Sequence, residues 1–89
     1  MAHDYDHIRA LISANRLDEA SEILAADPAD DSAAALYLQG RIEWRRGNRA
    51  RAISCYEAAV AADPGSEAAV ALEQARQIMD FFNTDLYNP

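Results

Sequence analysis

Residues 33–64 read AAALYLQGRIEWRRGNRARAISCYEAAVAADP, and two helices with a sharp turn between them can be marked out in that stretch. The first runs from about Ser32 to Arg46 and carries Leu36, Tyr37, Gly40, Ile42 and Trp44. Asp30, Asp31 and Ser32 ahead of it supply side-chain oxygens for its unpaired first-turn amides. Gly47-Asn48 ends it, because glycine adopts the left-handed cap without a steric penalty. The second runs from about Arg49 to Ala62 and puts Ala52, Ile53, Tyr56, Ala59 and Val60 at i, i+1, i+4, i+7 and i+8, which is one face of a helix. Asp63-Pro64-Gly65 closes it, since proline disfavours the helical conformation in the residue before it.

The same punctuation extends outward in both directions. On the N-terminal side, residues 4–14 align Tyr5, Ile8, Leu11 and Ile12 and stop at Asn15-Arg16. Residues 17–26 align Leu17, Ala20 and Leu24 with Ile23 beside them, and stop at Asp27-Pro28. On the C-terminal side a fifth helix is expected over residues 66–82, through Ala71, Ala75, Ile78 and Phe82, with residues 83–89 as a polar and aromatic tail. The segments also echo one another: Leu17-Asp18-Glu19-Ala20 with Asp27-Pro28 recurs as Arg49-Ala50-Arg51-Ala52 with Asp63-Pro64. Ala20 and Ala52 are 32 positions apart and the Asp-Pro pairs 36, a period averaging 34. Two helices per such unit predict an all-α chain of antiparallel helix-turn-helix repeats stacked as a solenoid.

Composition narrows the function classes. The 89 residues have 15 acidic against 8 basic side chains, all the latter arginine, for a formal net charge of -7. That balance argues against general affinity for nucleic acid or an anionic membrane. No stretch approaches the roughly 20 apolar residues that cross a bilayer, and residues 1–10 are acidic, unlike the start of a secretory signal. The lone Cys55 excludes an internal disulfide framework and fits a reducing cytoplasm.

With Leu36 at a first large position, Gly40 at a tight helix contact, Gly47 at the turn, Ala52 and Ala59 as small residues, Tyr56 as an aromatic and Pro64 as terminator, residues 33–64 resemble a tetratricopeptide repeat. Gln39 and Glu43 depart from that pattern, standing where a leucine and an aromatic are expected. Residues 1–30 resemble a degenerate first repeat that keeps Leu17, Asp18, Glu19, Ala20 and Pro28 but has Ile8 where glycine belongs. Residues 66–82 are similar to the capping helix that closes such arrays, and the ending resembles that of short bacterial repeat proteins of unknown function. The resemblance implies about two and a half repeats in one domain and a role in binding other proteins.

Catalytic chemistry finds little to stand on. His3 and His7 lie four apart but lack a third fixed ligand, and read as solvated surface rather than a metal site. Cys55 has no histidine near it in sequence and reads as packing. Asp18-Glu19 and Asp30-Asp31 stand at helix starts, where negative charge offsets the helix dipole. No glycine-rich phosphate loop or hydrolase elbow is present. Neither an enzyme nor a cofactor is expected.

The distribution of arginine carries more information. Arg41, Arg45, Arg46, Arg49 and Arg51 crowd into eleven residues of an acidic chain. Tyr37, Leu38, Arg41, Trp44 and Arg45 form one stripe of their helix, which the repeat resemblance places on a concave groove together with Tyr5, Asp6, Arg9 and Ile12 from the first helix and Ala71, Leu72, Ala75, Ile78 and Met79 from the last. Read for function, the arginine forks grip carboxylates of a peptide or protein segment while Tyr37 and Trp44 supply flat apolar contact. Read for structure, the same arginines pair with Glu43, Glu57 or nearby aspartates. Phe81, Phe82, Leu86 and Tyr87 either seal the open end of the array or dock on a second copy, making a homodimer the alternative functional state.

Overall fold

The computed structural model describes residues 5–27 and 29–86, with side chains described as far as residue 80. It is all-α. Five helices follow in order among the described residues: α1 (Tyr5–Ser13), α2 (Leu17–Ala25), α3 (Ala33–Arg46), α4 (Arg49–Ala62) and α5 (Glu67–Leu86). The first four match the expected segments to within a residue or two. The fifth differs, because α5 runs for 20 residues and takes in 83–86, which the sequence reading assigned to the tail. No glycine or proline occurs between Ser66 and Asn88, so each added residue gains one backbone hydrogen bond and nothing forces a stop.

The helix ends follow the chemistry of their residues. The Ser32 Oγ accepts from the Ala35 amide at 3.2 Å, and Asp30 Oδ1 accepts from the Ser32 amide at 3.2 Å. Gly47 takes φ 88°, with its amide donating to the Trp44 carbonyl at 3.1 Å and the Asn48 amide donating to Glu43 at 2.9 Å. That is the paired six-to-one and five-to-two closure of a helix C-terminus. Asn15, at φ 62°, makes the same closure for α1, with its amide donating to Ile12 at 2.9 Å and Arg16's to Leu11 at 2.8 Å.

Each helix packs on the next, and α3 also touches α1 and α5. Between α1, α2 and α3 the core is Ile8, Leu11, Ile12, Ala20, Leu24, Ala35, Leu38 and Ile42. A second core joins α4 to α5 through Ala52, Tyr56, Leu72 and Ala75, with Tyr37, Trp44 and Ile53 packed around it. Leu38 is fully buried in the first core, so its expected place on an open groove is corrected. It lies four residues before Ile42 and three after Ala35, the spacing that turns all three toward the core shared with α1 and α2. Ile12 and Leu72, expected on the groove, are likewise buried.

Gly40 sets the approach of α3 to α4. A Cβ built there would lie 2.5 Å from Tyr56 Cε1, 2.6 Å from Cδ1 and 3.2 Å from the Cys55 Cβ. Ordinarily a mid-helix glycine replaced by alanine raises stability by up to ~1 kcal/mol. Here the sign should reverse, with Gly40→Ala lowering stability by about 1–3 kcal/mol through overpacking. Gly47→Ala, where space is open but φ is positive, should cost about 1–2 kcal/mol. Urea melts of the two variants check both values, and a more stable Gly40→Ala variant would remove the steric argument.

Candidate functional site

Between α3 and α5 lies a cleft of about 180 Å³, lined by Tyr37, Arg41, Trp44, Tyr56, Ala71, Gln74, Ala75 and Ile78. Its size is below the roughly 300–1,000 Å³ of a drug-sized ligand site. It is of the order of one side chain. A shallower depression formed by Tyr37, Glu67, Val70, Ala71 and Gln74 adjoins it, so the two share Tyr37, Ala71 and Gln74.

The walls are unlike one another. On the α3 side, the Tyr37 ring sits 6.0 Å from the Tyr56 ring at an interplanar angle of 35°. The Arg9 and Arg41 guanidinium carbons lie 5.7 and 6.0 Å from its centre. The Arg49 guanidinium covers the Trp44 ring at 5.0 Å. On the α5 side the wall is aliphatic apart from Gln74 and, in the adjoining depression, Glu67, and Ile78 and Val70 are 41% and 61% exposed. Tyr56 forms the floor and is 4% exposed. Burial, with a smaller push from Tyr37 and a counter-pull from Arg41, raises its hydroxyl pKa to about 12.

The arginines divide into two sets. Arg46 reaches Asp18 at 2.7 Å and Glu43 at 3.6 Å, Arg51 reaches Glu43 at 3.4 Å, and Arg76 reaches Glu57 at 2.7 Å. Glu43 is buried, and Asn48 Nδ2 donates to it at 3.4 Å. A buried carboxylate needs such partners, and this one accounts for part of the basic cluster. Arg16 pairs with Glu19. Arg9 makes a two-pronged contact with Glu67 at 2.9 and 3.3 Å, spanning from α1 to α5. Arg41 and Arg45, by contrast, make no ion pair among the described residues.

Comparison with known proteins finds no matching family model, no matching curated protein and no matching solved structure. The geometry therefore carries the functional reading alone.

Of the residues expected at the site, Tyr37, Arg41 and Trp44 come together in the cleft, joined by Ala71, Ala75 and Ile78. Arg45 stands exposed one turn beyond Arg41 on α3. Tyr5 serves elsewhere, because its hydroxyl donates to Asp30 Oδ2 at 2.8 Å and lies 3.1 Å from Ser32 Oγ, tying the start of α1 to the cap of α3. Tyr56 and Gln74 belong to the cleft although the sequence reading did not place them there. Tyr56 falls on the α5-facing side of α4, and Gln74 is one turn before Ile78. Phe81, Phe82 and Leu86 have side chains outside the described residues, as does all of Tyr87 and His3. Among the described residues no three histidine, cysteine, aspartate or glutamate side chains cluster as metal ligands. Cys55 is half-buried, and burial, helped by the Glu43 charge and opposed by Arg51, pushes its thiol pKa up.

Two pH limbs follow. The Arg9 hydrogen bonds, ahead of smaller effects from Tyr37 and Arg41, hold the Glu67 pKa below its ordinary value. A depressed carboxylate stabilises the fold above its unfolded pKa of about 4.3, and that contribution disappears as pH falls through the folded value. Arg9 and Glu67 are 35% and 59% exposed, so screening limits the pair to ~0.2–1 kcal/mol. Glu67→Gln should lose that amount at neutral pH, flatten the acid limb, and show no loss in 1 M salt. At the other extreme, Tyr56 favours the fold below the unfolded tyrosine pKa of about 10, and stability should fall from there to about 12. Urea midpoints across pH for wild type, Glu67→Gln and Tyr56→Phe check both limbs; an alkaline limb unchanged in Tyr56→Phe would remove its assignment.

Proposed function

We propose that the chain is a protein-interaction module that holds an acidic protein segment in the α3–α5 cleft, with Arg41 and Arg45 as its grip and Tyr37, Trp44 and Tyr56 as its apolar bed. The observation that carries this reading is the pair of guanidiniums left without carboxylates in a chain with net charge -7, beside an aromatic cleft of side-chain size. An arginine fork matches a carboxylate with two parallel hydrogen bonds, and aromatic and arginine side chains dominate interface energetics. The helix order supports a tetratricopeptide-like array of about two and a half repeats, in which α1, α3 and α5 line one side. What favours this is the pattern in which α1 touches α3 and α3 touches α5, while α2 and α4 follow as their antiparallel partners.

The same reading leaves catalysis aside. Cys55 is held toward the thiol form, and the cleft brings no base together with a nucleophile. A lone cysteine suits a reducing compartment, and on this reading the module works in the cytoplasm. No described helix is long and apolar enough to cross a membrane.

Exposed Val70 and Ile78 on α5 favour a second role, in which copies of the chain associate through that helix. Two measurements separate the roles. Isothermal titration with capped acidic peptides that carry one leucine should give micromolar to millimolar binding, lost in Arg41→Glu and Arg45→Glu with helicity and melting unchanged. Sedimentation across a wide concentration range should show a monomer. A dimer dispersed by Ile78→Glu, together with peptide binding indifferent to Arg41 and Arg45, would replace the first role with the second.

A further inference from the structure

Resting on the cleft reading above, the geometry points to an extended partner segment in a fixed register, with an apolar residue at the level of Tyr37 and acidic residues at the next two alternate positions, opposite Arg41 and Arg45. Tyr37, Arg41 and Arg45 recur every four residues along α3, which keeps them on one face. Four helical residues advance about 6 Å. Two residues of an extended chain advance about 6.6–6.8 Å and bring side chains back to the same side. The two ladders therefore stay in step over three levels, with a mismatch that an arginine side chain absorbs.

Each level selects its own residue type. At Tyr37 the one carboxylate present, Glu67, is already held by Arg9 at 2.9 and 3.3 Å, the Arg41 guanidinium leans to within 6.0 Å of the ring from the next turn, and Val70 and Ala71 line the adjoining depression. A second carboxylate there would meet the Glu67 charge, so an uncharged apolar side chain is preferred. One turn on, Arg41 offers an unpaired fork beside the Trp44 ring, the Tyr56 floor and Ile78. A further turn on, Arg45 is exposed and unpaired. Gln74, on the opposite wall between the two depressions, has amide donors and an acceptor to offer. An extended chain has main-chain groups free to use them. A helical segment has already spent its own, which is why the occupant is extended. Because alternation is the same read either way along an extended chain, the register holds for both directions.

The test uses the intact chain and fluorescence anisotropy with dye-labelled, end-capped peptides. The in-register probe is Gly-Leu-Ser-Asp-Ser-Asp-Gly, measured with its reverse. The control is Gly-Leu-Ser-Asp-Asp-Ser-Gly, in which the second carboxylate points away from α3. The tighter of the two in-register probes should bind about tenfold more strongly than the control, the worth of one added charge-assisted contact. Arg45→Gln should bring that probe down to the control and leave the control unchanged. Equal binding of probe and control, both weakened by Arg41→Gln, would overturn the register while the cleft reading stands. Equal weakening of both by Arg45→Gln would overturn it also, by showing a diffuse field. Absence of binding by every peptide at millimolar concentration would overturn the cleft reading and the register with it.

Discussion

The missing side chain at Gly40 is the constraint on which the rest of the molecule turns. With no Cβ there, the Tyr56 ring lies directly against the α3 backbone. That ring serves in two places at once, as a member of the α4–α5 core and as the floor of the cleft. It holds the Tyr37 ring 6.0 Å away and gives Leu72 and Ala75 of α5 their packing surface. The distance between the two cleft walls is thus fixed by a residue that faces neither. A methyl group at position 40 would force the ring aside, and because interiors are packed as densely as crystals, the shift would pass to α5.

Charge is sorted around α3 by helix geometry. Glu43 is two residues from both Arg41 and Arg45, about 200° around the axis at 100° per residue. The face bearing Glu43 gathers Arg46 and Arg51 to keep its carboxylate compensated in a buried place. The opposite face keeps Arg41 and Arg45 clear of those partners. An acidic chain can in this way present a small cationic surface, since Glu43 is taken up by Arg46 and Arg51 and Glu67 by Arg9.

Most of the fold was legible in the sequence because helix ends are local. Ser32, Gly47, Asp27-Pro28 and Asp63-Pro64 act within a few residues of themselves, and the repeat resemblance put Gly40 at a close helix contact. Part of the cleft was legible too, in the spacing of Tyr37, Arg41 and Trp44. The assignment of Leu38 to the groove failed because the stripe was drawn too wide. Ala35, Leu38 and Ile42 share the spacing of a core face, and all three are buried together. The pairing of Arg9 with Glu67, 58 positions apart, had no local signal at all. Glu43 was legible as a partner for the clustered arginines, and Arg46 and Arg51 do reach it, but its burial was not, since nothing nearby in sequence shows whether a carboxylate is buried or solvated until the turn at Gly47 brings Asn48 and Arg51 back beside it.

The way α2 ends its contacts at α3 has a mechanical consequence. Among the described residues α2 touches α1 and α3 but neither α4 nor α5, and the backbones of α1 and α5 do not meet. The α1–α2 hairpin is therefore hinged on a single helix, through the aliphatic core around Ile8, Ile12, Leu38 and Ile42, with Arg9 and Glu67 as an outer clasp. A hairpin attached in this way, with Tyr5 to Asp30 and Ser32 and Arg46 to Asp18 as its other polar ties, belongs to the class of elements that open locally at less cost than a whole fold. Salt or acid that loosens the clasp thus weakens the hold on one end of the molecule without touching the contact at Gly40.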